Sequence, residues 1–371
     1  MKSTRLDKIA SVTRTCCLPP EVKLSNEFPC QEGDVVAVRI QTHKTTYNQL
    51  ELTTGRFSTL RPGDVVAGAL GHRFALRGYA GTLPTSLAAG ESIDLLNLGG
   101  VLGCCTSTSP DLGAPFSCEV LGQILHFPYL GERIGVPASI RTAAKPCVAE
   151  DASIDLGGVP VIAIAGTSMH AGKTCAAALV IQELRRRGLV IDAAKATGVS
   201  LRRDILTMED AGARHISTFT DYGVVTTAEA NAPTLTRSML GGLAQEKPDA
   251  IMLEMGDGLF GTYGVGSVLH APDIREALSA VILCANDPVG AWGGVKHLRE
   301  SCGIEPTVVT GPATDNAAGT EVIERLTGVP AINARVHAEL LTQRILEAIG
   351  RSEPPQVSVM PSTAGAPVAT S

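Results

Sequence analysis

The sequence predicts an α/β protein, with a parallel sheet carrying helices on both faces and a β-rich segment of barrel or sandwich type before it. Three observations predict this. Short β-branched runs separated by turn residues fill residues 1–150. After Pro146, continuous apolar runs alternate with helical stretches at short spacing, the pattern of a parallel sheet. A glycine-rich turn joins the first of those runs to the first of those helices. The 371 residues suit roughly two domains, at 1–150 and 155–350, followed by a tail at 351–371.

In the first half, Asp34–Gln41, Gln49–Thr53 and Asp64–Leu70 read as strands. Arg61-Pro62-Gly63-Asp64 marks a turn, and Gly71, Gly78 and Gly81 punctuate the stretch after Leu70. Leu95–Cys105 reads as one further run and Cys118–His126 as another. Strands this short with turns this frequent fit a small barrel or sandwich. No chemistry-bearing motif stands out here. His43, His72 and His126 are isolated, the setting of structural rather than catalytic histidines.

In the second half, Val159–Ala165 is a continuous apolar run, as for a strand buried on both faces. A helix follows over Gly172–Arg187, closed by Gly188. Leu189–Ala194, Ala250–Leu253, Ala280–Ala285 and Pro306–Val309 read as further strands. Pro233–Gln245, Ala291–Ser301, Asn316–Thr327 and Arg335–Ile349 read as helices. The tail from Arg351 to Ser371 holds four prolines and no apolar periodicity, so it is expected to be disordered.

Composition narrows the function. Aromatics are 4% against 44% apolar residues, so the cores must be aliphatic. The net charge is −6, and the largest basic cluster, Arg185–Arg187, sits late in a helix where cations suit the dipole. No electrostatic footprint for nucleic acid is present. None of the ten cysteines falls in a CxxC pair or a zinc-site spacing. No apolar run reaches 18 residues and no signal segment opens the chain, so a cytoplasmic protein with reduced thiols and no membrane partner is expected.

Residues Gly166–Thr174 read GTSMHAGKT. The strict phosphate-loop pattern G-x-x-x-x-G-K-[ST] requires glycine at 167, where this chain has Thr167 with Gly166 just before it. Gly172, Lys173 and Thr174 fit, between a strand and a helix, which is the context that separates a true P-loop from a chance match. Backbone amides there point at phosphate oxygens, and the helix dipole favours the anion. Gly166, Thr167, Ser168, Met169, His170, Ala171, Gly172, Lys173, Thr174 and Cys175 are therefore the expected nucleotide-binding residues of a P-loop NTPase domain. Lys173 would contact the β- and γ-phosphates, and the Thr174 hydroxyl would ligate Mg²⁺. His170 fits a γ-phosphate contact and an exposed loop position equally.

The longer form GTSMHAGKT resembles dethiobiotin synthetase, whose loop has the same GT-x4-GKT layout. In that family a lysine ending the second strand reaches the phosphates, which implies that role for Lys195, 22 residues after Lys173. The family's acidic strand end, EGxGG, is similar to Glu254-Met255-Gly256-Asp257-Gly258. An aspartate after the second strand binds metal in that family, which implies Asp204, with Asp210 next. The resemblance covers residues 159–335. Thr197-Gly198 replaces the family's residues after the lysine and Asp257 is extra, departures that surround the substrate pocket. A looser likeness, through Gly266–Pro272 and Ala280–Asp287, runs to a P-loop family containing D-glutamate N-acetyltransferase-like proteins. That family carries a Rossmann-like N-terminal domain, unlike the β-rich segment here.

Residue chemistry agrees with these implications. Glu254 stands at the C-terminal end of a buried strand, where ligands meet an open α/β sheet. Oxygens of Thr174, Asp204, Glu254 and phosphate would suit Mg²⁺. A lysine at 195 is costly to bury unpaired, and a phosphoryl partner would resolve that cost. Rim snorkelling is the competing reading. Asp221-Tyr222-Gly223 and Asp257–Gly266 are expected to line an acceptor pocket. The strand end Asn286-Asp287-Pro288 lacks the lysine of a guanine-specific NKxD box, so ATP is expected, with its base against Thr310–Asn316 and Asn316 in contact.

The expected function is a Mg·ATP-dependent synthetase-like enzyme that acts on a small carboxylate-like acceptor through the γ-phosphate, with Lys173 and Lys195 catalytic. The alternatives are an NTPase switch or chaperone for metal or cofactor delivery, and an N-acyltransferase. No G-x-C-x-G signature is present, which argues against ammonia from glutamine. The expected partners are nucleotide and a small substrate; a homodimer is compatible with the sequence.

Overall fold

The computed structural model describes residues 2–26, 29–129, 134–150 and 152–351. The expectation of disorder for the tail falls on 352–371, outside the described residues.

The first half builds a closed ring of five strands: β1 (Val35–Ile40), β2 (Val65–Leu70), β3 (Ser92–Leu95), β4 (Val101–Thr108) and β5 (Phe116–His126). β1 pairs antiparallel with β2 and β5, β2 runs parallel to β4, and β3 bridges β4 and β5 antiparallel. That last pairing closes the barrel. Val36, Val38, Leu70, Leu102, Cys118 and Ile124 belong to its aliphatic core, as the low aromatic content requires. Val35–Val38 are buried at every position because Leu6, Ala10, Val12 and Ile140 join the same core. Shorter strands, among them Lys2–Arg5, Glu21–Ser25, Arg73–Phe74 and Tyr79–Thr82, extend the sheet beyond the ring.

The run expected as one element over Leu95–Cys105 is instead a tight hairpin. β3 ends at Leu95 and β4 begins at Val101, with Leu95 opposite Leu102. Gly100 takes φ +93°, a conformation glycine adopts without strain, and Asn97 Oδ1 accepts the Val101 amide at 3.0 Å. Apolar Leu96 and Leu98 mask this turn in the sequence.

The second half is a six-stranded parallel sheet of β6 (Val161–Gly166), β7 (Ile191–Thr197), β8 (Ile216–Thr218), β9 (Ala250–Met255), β10 (Leu278–Cys284) and β11 (Val308–Thr310). Their spatial order is β8-β7-β9-β6-β10-β11. The helices are α1 (Lys173–Arg186), α2 (Arg203–Asp210), α3 (Ala232–Ala244), α4 (Val265–His270), α5 (Pro272–Ala277), α6 (Pro288–Glu300), α7 (Ala317–Thr327) and α8 (Ala338–Ala348).

Alternation along β6 shows the two covered faces. Ile162 and Ile164 share a core with Val180 of α1, Ile205 of α2 and Leu341 of α8. Ala163 and Ala165 share one with Val268 of α4, Val295 of α6 and Ile323 of α7. Helix α3 packs Leu235 and Met239 against Ala194 of β7 and Leu253 of β9. Among the described residues no helix is long and apolar enough to cross a membrane, and all ten cysteines are free.

The halves meet through specific bonds. Glu51 Oε2 accepts the Arg202 amide at 2.7 Å, Asn97 Nδ2 donates to the Ser200 carbonyl at 2.7 Å, and the Phe74 amide donates to the Tyr263 hydroxyl at 3.0 Å.

Candidate functional site

β6 ends at Gly166, the chain turns through residues 167–172, and α1 starts at Lys173. Gly172 caps the helix at φ +90°. A side chain at Gly166 would strike Lys173, whose Nζ lies 2.9 Å from where that Cβ would sit. Lys173 folds back over the loop, and its Nζ donates to the Ser168 carbonyl at 2.9 Å. Burial pushes its ammonium down in pKa, while Glu254 opposes that.

The loop is held on several sides. The Thr167 amide donates to the Cys284 carbonyl of β10 at 2.9 Å, and Asn286 Nδ2 reaches Ser168 Oγ at 2.6 Å. Gly258 approaches so closely that a Cβ there would lie 2.8 Å from the Thr167 carbonyl oxygen. Gly311 likewise packs on the carbonyl of buried Ala171. His170 adopts φ 62° and is exposed.

Behind the loop lies a buried charge cluster. Thr174 Oγ1 donates to Glu254 Oε1 at 3.1 Å. Glu254 is 1% exposed, and among the described residues its Oε2 has no partner. Burial raises the Glu254 pKa, opposed by Lys195, with Asp204 adding to the rise. Lys195 is the register partner of Glu254 across β7 and β9 and forms an ion pair with Asp204 in the first turn of α2. Burial disfavours the Lys195 charge, but Asp204 and Glu254 outweigh it and raise its pKa. Asp204 is lowered, since Lys195 overcomes the burial that would raise it. β7 runs on to Thr197, so Lys195 lies within the strand rather than just past its end.

These groups line a cavity of about 760 Å³. Met169, His170, Gly172, Lys173, Thr174 and Cys175 contribute from the loop, with Lys195, Asp204 and Glu254 beside them. Gly166, Thr167, Ser168 and Ala171 are not on its wall but support it from behind. Asn316 is not on the wall either. Its Oδ1 accepts the Gly319 amide at 3.0 Å and caps α7, a demand of the helix N-terminus that the loop reading passed over. Of the residues expected at an acceptor pocket, Asp257 and Tyr263 line the cavity. Asp221 instead closes a capping box after β8 and pairs with Arg14.

Asp257 takes φ 73° and is buried, and among the described residues neither of its oxygens has a hydrogen bond of ordinary geometry. Burial raises its pKa, opposed by the Gly258 amide and Lys173. Tyr47, Arg73, Arg77 and Asn97 come to the cavity from the first half. No motif marks them in the sequence, because only the hairpins of that half carry them to the sheet.

Thr174 Oγ1 and the orphaned Glu254 Oε2 form an oxygen pair suited to Mg²⁺, which keeps several waters and needs few protein ligands. Asp204 faces Lys195. Among the described residues no three His, Cys, Asp or Glu side chains converge as a metal site.

A central parallel strand that feeds a glycine-rich loop and then a helix is the P-loop arrangement. No family model and no curated protein matches the sequence. Solved structures similar to part of the chain include a DUF1611-family protein from Anabaena variabilis, at 11% identity over 56% of this chain and 63% of that one, with a TM-score of 0.38. The 54 kDa signal recognition particle protein from Aeropyrum pernix, in complex with GDP, is 17% identical over 52% of this chain and 49% of its own, with a TM-score of 0.35. The signal recognition particle receptor FtsY from Elizabethkingia anophelis is 11% identical over 51% and 65%, at 0.37. The chain thus spans about half to two thirds of the length of these structures. At such identities and TM-scores the likenesses carry no inference about activity, and none of them is a dethiobiotin synthetase.

Proposed function

We propose that this chain is a Mg·ATP-dependent enzyme that uses the γ-phosphate to activate or phosphorylate a small acceptor. The observation that carries the reading is the Lys173–Thr174 helix start, with the Thr174 hydroxyl on Glu254 at the end of the adjoining strand. On this reading the amides opening α1 bind the phosphates, and Lys173 exchanges the Ser168 carbonyl for a phosphoryl oxygen. Thr174 and Glu254 would hold Mg²⁺, and Asp204 would join them only by releasing Lys195. The bound ion supplies neutralisation of the phosphate charge. Lys195, fixed within β7, adds a positive charge where the transferring group gains negative charge. Adenine is favoured over guanine because Asp287 and Val289 stand where an N-K-x-D box beginning at Asn286 would place its lysine and its aspartate.

A nucleotide-driven switch is the second reading. It draws on the Asn97–Ser200 and Glu51–Arg202 bonds, which tie the barrel to the segment leading into α2. ADP release that depends on a small acceptor supports the enzyme; hydrolysis that depends only on a macromolecular partner supports the switch.

A further inference from the structure

Arg73 is buried, 4% exposed, on the cavity wall that the first half supplies. Its guanidinium lies 5.6 Å from the Tyr47 ring centroid and 5.8 Å from that of Tyr79. Nη1 donates to the Tyr47 hydroxyl at 3.0 Å and to the Leu96 carbonyl, while among the described residues Nε has no partner. Among the described residues no carboxylate lies within ion-pair distance of it. Other arginines of the first half do find one: Arg39 meets Glu119 at 2.8 Å and Arg141 meets Asp34 at 2.8 Å. A guanidinium this deeply buried is ordinarily paired, because an uncompensated buried charge is among the costliest features a fold can hold.

The missing counter-ion is therefore expected from a ligand. The nucleotide has its own cations in Lys173 and Lys195 and its own amides at α1, all from the second half. Arg73 comes from the opposite half and opens on the same 760 Å³ cavity, a volume that accommodates a small molecule beside the nucleotide's phosphates. Its planar fork matches a carboxylate in a way a lysine does not.

We propose that Arg73 is the recognition residue for the acceptor, which is a small carboxylic acid whose carboxylate pairs with the guanidinium packed beside the Tyr47–Tyr79 pair. The assignment rests on the phosphoryl-transfer reading of the same cavity. It makes the barrel half part of the substrate site.

The test is calorimetry on the full chain loaded with Mg·ADP, titrated with acetate, malonate, succinate and glutarate. At least one anion should bind, and Arg73→Met should weaken it about tenfold or more while Mg·ATP affinity stays within about twofold. Arg73→Lys keeps the charge but not the fork, so it should also weaken the anion, and it serves if the methionine variant fails to fold. Three results overturn the proposal: no anion binds, anion affinity is the same in the folded variants, or Mg·ATP affinity falls as far as anion affinity, which would make Arg73 a nucleotide contact. Failure of the parent reading shows separately, as no Mg·ATP heat with the wild type, and the acceptor assignment falls with it.

Discussion

The Thr174 hydroxyl donates to Glu254 Oε1 at 3.1 Å and joins the first turn of α1 to the end of β9. Among the described residues nothing pairs with the buried Glu254 Oε2, so this oxygen is open to a ligand. Burial raises the Glu254 pKa above 4.5, so in the ligand-free protein its contribution to stability is present at low pH and lost as pH rises through the folded value. Glu254→Gln should therefore raise the ligand-free melting temperature at pH 7 by ~2 °C or more and flatten its dependence on pH. The same variant should raise the Mg²⁺ midpoint of activity about tenfold. A melting curve across pH and a Mg²⁺ titration check the two effects, and no movement in the midpoint would place the metal elsewhere.

Among the described residues Lys173 Nζ bonds only to the Ser168 carbonyl, so its removal should leave the fold largely as it was. Lys173→Ala should keep the circular dichroism spectrum and lower Mg·ATP affinity about 100-fold, or ~3 kcal/mol. Calorimetry decides, and an unchanged affinity would end the nucleotide assignment of the loop.

Lys195 is ion-paired with Asp204 and largely buried, so it serves the fold as well as any chemistry. Lys195→Met alone should lower stability by about 3 kcal/mol, because it leaves the Asp204 carboxylate only the longer contact with Arg203 at 3.7 Å. Adding Asp204→Asn should recover much of the melting temperature and none of the turnover. Near-normal turnover in the double variant would show that Lys195 only stabilises the sheet.

The connector between the halves is exposed over residues 146–150, which invites cleavage within 146–158. It is tied down on one side, where the Lys145 amide donates to the Asp221 carbonyl at 2.8 Å and the Val148 amide meets Ser238 Oγ at 3.0 Å. Limited proteolysis should nick the chain there, and the two fragments should still elute together, held by the Asn97–Ser200 and Phe74–Tyr263 bonds. Fragments that separate would mean that the halves behave as independent domains.

How far the sequence discloses a feature depends on how local that feature is. The strand, loop and helix over 161–186 are legible because every signal for them lies within a few residues. Helix α2 is not: Arg202-Arg203-Asp204 reads as a charged loop, and only the Glu51 carboxylate on the Arg202 amide shows what fixes its start. Glu254 is legible as a residue near the end of its strand and Lys195 only as a lysine beside an apolar run that in fact continues to Thr197; their adjacency depends on β7 and β9 being neighbours, a matter of sheet order. Arg73 carries no local signal, since its isolation from carboxylates is a property of the assembled fold.

The parallel sheet ends in β8 and β11, each only three residues long. So short a margin gives a foreign strand too few backbone groups to register against, and natural sheets use abbreviated margins to discourage such recruitment. The five-membered ring of the first half has no margin at all between its members. Strand-mediated polymerisation should therefore not start at the parallel sheet; the open margins of the folded chain are those of the first half's sheet, the Lys2–Arg5 and Arg73–Phe74 strands, which are themselves short and carry Lys2, Arg5 and Arg73.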